Sequence, residues 1–423
     1  MIKKIYRKIF RYSLYIITLF FIPVVIGIIL CLRNYIIVRF LSVDSNRIGH
    51  FAGNIEMYFC RKNSEKDNKK YYDIAFYQTK ISNIALAKMW KKKLNVYPNY
   101  FIYPIFAFLN FFSKYFYFLK IHIFDNSYLS IRDDNNYLDK IPPHLKLSEK
   151  EINLGIEGLK KFGLNNNDKF VCFIVRDDAY LKSVYPKSNW SYWSYRDYDI
   201  NRFVLAAEEL TKLGYYVFRM GKFTKQKLKT NNKMVIDYSN SSFKSDFLDI
   251  YLGANCEFCL TTDVGFDYIP FIFRRPLASI TDPIALMKFS SKKFLSIFSN
   301  YYSIDENKKL SIKEIFDYNV AHFRGTQDLL SNKIKLLQPD QNQIKDFVID
   351  MVNYIKNDFK LLQDDEELQS DFIKIYKKNL NSKNFIDNFL RDVKSEIDTS
   401  KLHKEYYGKV APSFLRSNEF LLK

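Results

Sequence analysis

The chain has 423 residues, enough for two domains with cores of their own. Apolar residues make up 48% and aromatic residues 17%, which excludes an intrinsically disordered chain. The net charge of +19 asks for an anionic partner, but it is spread along the chain with no zinc knuckle or paired stacking aromatics, which argues against nucleic acid and leaves a membrane surface or nucleotide phosphates.

Lys3, Lys4, Arg7, Lys8 and Arg11 precede Tyr12–Leu32, a run without charge, and Arg33 and Arg39 follow it. The run is long enough to cross a bilayer, and no small-residue cleavage site marks it as a signal peptide. The N-terminal cations place the tail in the cytoplasm, so a single crossing would export everything after it. Pro23 and Gly27 offer a bend that returns the chain; alternatively the run lies in the interface. Either arrangement keeps the remainder facing the cytoplasm.

Residues 35–41 are rich in β-branched side chains and predict a strand, followed by the loop Arg47–His50 and a helix over 51–61. A second strand over 73–77 and a helix over 83–93 continue an α/β pattern. Residues 98–124 are dense in Phe and Tyr, with Lys114 and Lys120 the only charges. They read either as a buried core helix or as a membrane-facing patch. Ile141–Pro143 marks a linker. A helix over 148–162 opens on Ser148 and Glu151 and stops at Gly163. Strands follow at 169–175, 215–220, 234–237 and 258–262, with helices at 201–214 and 245–254. The apolar stretch 270–273 closes the strand series before Pro276. This alternation predicts a doubly wound α/β domain. From Gln341 onward the chain reads as helices, with an acidic helix start at Asp364–Glu367 and a docked apolar tail around Pro412–Leu415.

Five cysteines, Cys31, Cys60, Cys172, Cys256 and Cys259, are an odd set. Cys256 and Cys259 have the spacing of a redox or zinc half-site, but no second pair or nearby His completes it. Buried thiols in a reducing compartment are the expectation, with no metal and no cofactor.

Ligands of open α/β sheets bind beyond the carboxyl ends of the strands. That rule selects Arg47–Asn54, Arg176–Tyr180, Arg219–Lys222 and Thr261–Gly265. Cations, small hydroxyls and backbone amides at such places are the groups that hold a diphosphate. No GxGxxG, P-loop or HExxH pattern is present, which lowers the oxidoreductase, ATPase and metalloprotease readings.

On Arg47–Asn54, Phe173–Tyr180, Tyr195–Ile200, Gly214–Gly221, Ser245–Leu252, Thr261–Gly265 with Pro276, and Pro412–Leu415, the sequence resembles bacterial glycosyltransferases of surface-polysaccharide and O-antigen gene clusters. These are distantly similar to protein O-fucosyltransferases and heptosyltransferases of the GT-B type. The resemblance implies two Rossmann-like lobes, a nucleotide-sugar donor and no essential metal. It departs from the family pattern at Ile174, where His is frequent, and at Val264, where Ser is frequent.

The expected organisation is a membrane anchor over 1–34, an acceptor-side α/β lobe over 35–145, a donor-binding α/β lobe over 146–340 and a helical region over 341–423. The donor residues would be Arg176, Tyr180, Arg219, Gly221, Lys222, Ser245, Asp246, Thr261, Thr262, Asp263 and Gly265. Arg47, Gly49, Asn54 and Arg196 would serve the acceptor, with His50 and Asp177 as candidate bases. The donor, GDP-linked among the candidates, would be used on a glycan or lipid-linked acceptor at the inner membrane. The alternative is a non-catalytic membrane-associated binding or scaffold protein of polysaccharide biosynthesis.

Overall fold

A computed structural model describes residues 2–64, 70–78, 80–124, 133, 135–323, 325–387 and 406–423; the side chains of residues 2–9 and 11, and so the five N-terminal cations, lie outside the description. The chain divides into two compact units, Met1–Arg132 and Asp133–Lys423.

The first unit runs α1 (Ile2–Leu32), β1 (Ile36–Val43), α2 (Ile48–Ser64), β2 (Lys70–Tyr77), α3 (Ile84–Lys91), β3 (Asn95–Val96) and α4 (Asn99–Phe112), then a 3-10 turn over Tyr117–His122. The three strands form a parallel sheet in the order β1-β2-β3. Strand side chains alternate between faces. On one face Phe76 meets Tyr103 and Phe106 of α4, and Phe40 shares a core cluster with Ile22 and Ile29 of α1 and Leu109 of α4. On the other, Tyr77 meets Phe51 of α2, Asp73 accepts from Tyr58, and Phe59 of α2 stacks on Trp90 of α3. The result is three layers, α1/α4, sheet and α2/α3.

One expectation is corrected here. Helix α1 is continuous through Pro23 and Gly27, so the chain does not bend and return there. Among the described residues the small sheet keeps the single order β1-β2-β3, without a topological switch point.

The second unit begins with α5 (Tyr137–Lys140) and α6 (Glu149–Lys160). The Ser148–Glu151 capping box starts α6, and Gly163 at φ +83° ends the turn after it, both as the sequence predicts. Next come β4 (Lys169–Ile174), α7 (Ala179–Val184), α8 (Val204–Lys212), β5 (Tyr215–Arg219), β6 (Val235–Ile236), α9 (Asp246–Asn255), β7 (Cys259–Thr261), α10 (Tyr268–Ile272), β8 (Leu277–Ile280) and β9 (Phe294–Ile297). The strand expected at 270–273 is instead α10. Pro270 falls in its first turn, where the missing N–H has no helical partner to lose. A three-stranded antiparallel sheet follows, from β10 (Asn300–Ser303), β11 (Lys308–Lys309) and β12 (Ile334–Leu337), with α11 (Ile312–Asp317) and α12 (Thr326–Ser331) between them. Helices α13 (Gln341–Lys356) and α14 (Gln363–Leu380), strand β13 (Lys409–Val410) and helix α15 (Pro412–Ser417) complete the unit.

The main sheet has the order β13-β9-β8-β7-β4-β5-β6, with all pairings parallel. From β4 the chain winds outward through β5 and β6, then returns to the other side of β4 and winds outward through β7, β8 and β9. That is the doubly wound order, and its switch point lies between β4 and β7. Helices α6 and α9 are close-packed: a Cβ on Gly155 of α6 would collide with the Tyr251 ring of α9. Cys172, Cys256 and Cys259 are buried, unbridged thiols, as is Cys60 of the first unit, whereas Cys31 is exposed.

Candidate active site

At the switch point the β4 and β7 ends are tied directly. The Thr262 N–H donates to the Ile174 carbonyl at 3.2 Å, and the Arg176 N–H donates to Thr262 Oγ1 at 2.8 Å. A part-buried backbone donor is thereby satisfied by a side chain from the neighbouring strand end. The Arg176 carbonyl accepts from the Tyr198 N–H at 3.0 Å, which fixes the strand-to-helix turn.

The Arg176 side chain is only 10% exposed. Its Nε lies 3.1 Å from Asp197 Oδ1, and its Nη2 is buried with no hydrogen-bond partner among the described residues. Trp193 carries two guanidiniums, Arg176 at 5.4 Å and Arg196 at 5.3 Å from its ring. Burial and the nearby Arg196 push the Arg176 pKa down, and Asp197 pulls part of it back. Two like charges held this close, one with a spare buried donor, form a place that favours an anion. Arg196, expected on the acceptor side, therefore lies beside Arg176, where it donates to the Asp263 carbonyl.

Asp263 itself is left-handed, at φ +54°. Its Oδ1 accepts from Ser279 Oγ at 2.9 Å and lies 3.0 Å from Lys288 Nζ, which is also 2.8 Å from Asp267 Oδ2. Burial acts to raise the Asp263 pKa, but Lys288 and Arg196 outweigh it and hold the group below the ordinary range. Burial likewise acts to lower Lys288, and the two carboxylates outweigh it, so Lys288 stays charged. Thr261 is buried and donates to Asp267 Oδ2 at 3.2 Å, while Gly265 is exposed at the rim. The elements that follow β4 and β7 are short, α7 of six residues and α10 of five, so local amides rather than a long helix dipole would face a ligand.

The β5 end is differently equipped. Arg219 is buried and donates to Asp237 Oδ1 at 3.1 Å and Ser239 Oγ at 2.7 Å, with Asp177 Oδ2 4.0 Å away. It braces β5 against the turn after β6. Gly221, at φ +149°, is forced: a Cβ there would lie 2.7 Å from Thr224 Cγ2. Lys222 is exposed, 4.0 Å from Asp246 in the first turn of α9, and Ser245 caps that helix by accepting from the Leu248 N–H at 3.1 Å. Tyr180 leans on Phe223, with ring centroids 6.3 Å apart. Asp177 accepts from two backbone amides, Ala179 at 3.0 Å and Lys225 at 2.8 Å.

A cavity of about 210 Å³ opens between the β4 and β5 ends. Carboxylates of Asp177, Asp178, Asp197 and Asp199 line it, against the cations Arg219 and Lys225. An acidic wall repels phosphate, so the anion-favouring place is the Arg176–Arg196 side and the cavity suits hydroxyl groups.

In the first unit Arg47, Gly49, His50 and Asn54 come together where β1 ends and α2 begins. Gly49 and Asn54 are buried and Arg47 is exposed. His50 hydrogen-bonds Asn54; burial lowers its pKa, partly countered by Asp44 and reinforced by Arg47. Sequence reasoning missed Trp193, Asp197, Ser279 and Lys288. Asp197 sits inside a segment singled out for Arg196, whereas Lys288 lies in a stretch with no pattern to mark it.

No family model matches the chain, and no curated protein does. Among solved structures it is similar to the glycosyl transferase family 9 protein from Veillonella parvula DSM 2008, at 10% identity over 62% of this chain and 86% of that one, with a TM-score of 0.37. It is also similar to E. coli ADP-heptose LPS heptosyltransferase II, at 12% identity over 62% of this chain and 90% of that one, with a TM-score of 0.34. Likeness at this level identifies neither a family nor an activity.

Proposed function

We propose that this protein is a glycosyltransferase that uses a nucleotide-sugar donor, with the donor diphosphate on Arg176 and Arg196 at the β4/β7 switch point. The observation that carries the reading is the nine-tenths-buried Arg176 side chain, with its Nη2 unpartnered among the described residues and a second guanidinium on the same indole. Asp263 and Gly265 are the proposed donor contacts on the β7 side, with the buried Thr261 and Thr262 supporting them from beneath. Tyr180, Gly221, Lys222, Ser245 and Asp246 lie toward the β5 side, and the acidic cavity takes sugar or ribose hydroxyls. In the reaction the bond between the anomeric carbon and the diphosphate oxygen breaks as a bond forms to an acceptor hydroxyl oxygen. The departing diphosphate gains negative charge, which the guanidiniums stabilise. The acceptor proton passes to a base. His50 and Asp177 are the candidate bases: burial lowers the His50 pKa, and Asp177 accepts from two backbone amides. Arg47, Gly49 and Asn54 are the proposed acceptor-side groups, for a glycan or lipid-linked acceptor at the cytoplasmic face of the membrane.

The test is a thermal-shift screen of the full-length protein against GDP-, UDP-, CMP- and dTDP-linked sugars, followed by assay of nucleotide release with glycan acceptors. One donor class should raise the melting temperature and be consumed. Stabilisation by a free nucleotide without any turnover would favour the non-catalytic binding reading, and no stabilisation by any donor would overturn both.

A further inference from the structure

Helix α1 is apolar enough to cross a membrane, with a mean hydropathy of 2.8 over Tyr12–Leu32, yet it does not stand free of the first unit. Phe10 meets Tyr100, Tyr15 meets Tyr103 and Phe108, and Ile22 and Ile29 join the cluster of Leu109 and Phe40. The contacts advance together along both helices, so α1 and α4 run side by side in the same direction and cover one face of the sheet. A helix crossing the bilayer on its own would have lipid around its whole circumference; this one has α4 along one flank. Helix α4 has 14 residues, about 21 Å, too short to cross beside it.

What the pair presents outward is apolar. Phe20 is 76% exposed and Tyr117 81%, with Phe21, Ile28, Phe101 and Phe111 also open. Among the described residues the charges that border these helices are basic: Arg33 follows α1, Lys114 and Lys120 follow α4, and residues 1–43 and 74–124 contain no Asp or Glu. Lys120 sits 5.0 Å from the Tyr117 ring, a pairing suited to the headgroup level.

We propose that the α1/α4 layer is a monotopic membrane-docking face for an anionic bilayer. The two helices enter one leaflet together, both ends of α1 stay on the same side, and the α2/α3 layer faces away from lipid. Cations without competing acid would add attraction to anionic headgroups, and the aromatic and aliphatic side chains would bury in the acyl boundary. This rests on the reading that the chain is membrane-associated, and it is independent of the transfer chemistry.

The test uses the full-length chain with Cys31 replaced by Ser and one fluorophore-bearing cysteine at a time, bound to preformed phosphatidylcholine–phosphatidylglycerol vesicles carrying a nitroxide-labelled lipid. Labels at F20C, F101C and F111C should lose most of their emission and one at S64C, on α2, should lose almost none. A cysteine at Y12C should react with a membrane-impermeant maleimide as readily as S64C without vesicle lysis. Quenching at F20C alone, or Y12C labelling only after lysis, would show a lone spanning α1 and overturn the docking face while leaving membrane association intact. Failure of the unlabelled chain to bind vesicles at all would overturn both.

Discussion

The main-chain N–H of Arg176 and the hydroxyl of Thr262 form a 2.8 Å bond that joins the ends of two strands 86 residues apart. It sets the height at which the Arg176 guanidinium stands over the crevice. Thr262→Val should leave that part-buried N–H unpaired at a cost of about 1 kcal/mol or more. We expect a lower melting temperature together with weaker nucleotide binding, and Thr262→Ser should recover both. A valine variant with wild-type melting and affinity would remove this bond from the account.

Lys288 lies between two buried carboxylates, 3.0 Å from Asp263 and 2.8 Å from Asp267. Lys288→Met strands both, and breaking a buried ion pair from one side costs about 3–5 kcal/mol. Denaturant unfolding of the second unit should shift accordingly. Adding Asp267→Asn should restore part of the loss, because it removes one of the stranded charges.

Acid should weaken the first unit. His50 and His122 both have pKa values pushed below the ordinary 6.5 by burial, and His122 Nδ1 is 2.7 Å from the Val38 carbonyl. The unfolded chain then binds more protons than the folded one below pH 6.5, so stability is level above that value, falls as pH drops through it, and flattens below the folded values. Melting followed from pH 7.5 to 5 should show this fall, and His122→Gln should make it shallower. A melting temperature that rises on acidification would contradict the assignment.

Leu109 is fully buried in the cluster that joins α1, α4 and β1. Leu109→Ala should cost the first unit about 2–5 kcal/mol, measured by denaturant unfolding in detergent. Nucleotide binding by the second unit should survive. The same packing predicts that removing residues 1–33 uncovers Phe40 and Leu109, so such a truncation should bind hydrophobic dye strongly.

Much of this layout is legible in the sequence where local chemistry is strong. The apolar run of β4, the Ser148–Glu151 box and Gly163 place elements to within a residue or two, because each is fixed by neighbours in the chain. Residues 277–337 were not legible: their strands are two to four residues long, too short for a period, and are held by partners far away in sequence. The same holds for the site. Arg176 and Thr261–Asp263 are marked by standing at strand ends, whereas Lys288 gains its meaning only from Asp263 and Asp267 in three dimensions. The run Tyr12–Leu32 reads as an independent anchor because hydropathy counts side chains and cannot see that Ile22 and Ile29 already face a sheet.

The most direct test of the central claim is calorimetric titration of nucleoside diphosphates into the wild-type protein and into Arg176→Ala. Losing one charge-assisted contact to the diphosphate should cost about 1.5–3 kcal/mol, roughly 10- to 150-fold in affinity, measured at a temperature where the unliganded variant is folded. Saturable binding that weakens by that amount is the result predicted here. Wild-type affinity in the variant, or no saturable binding by the wild-type protein, would contradict a donor diphosphate site at Arg176.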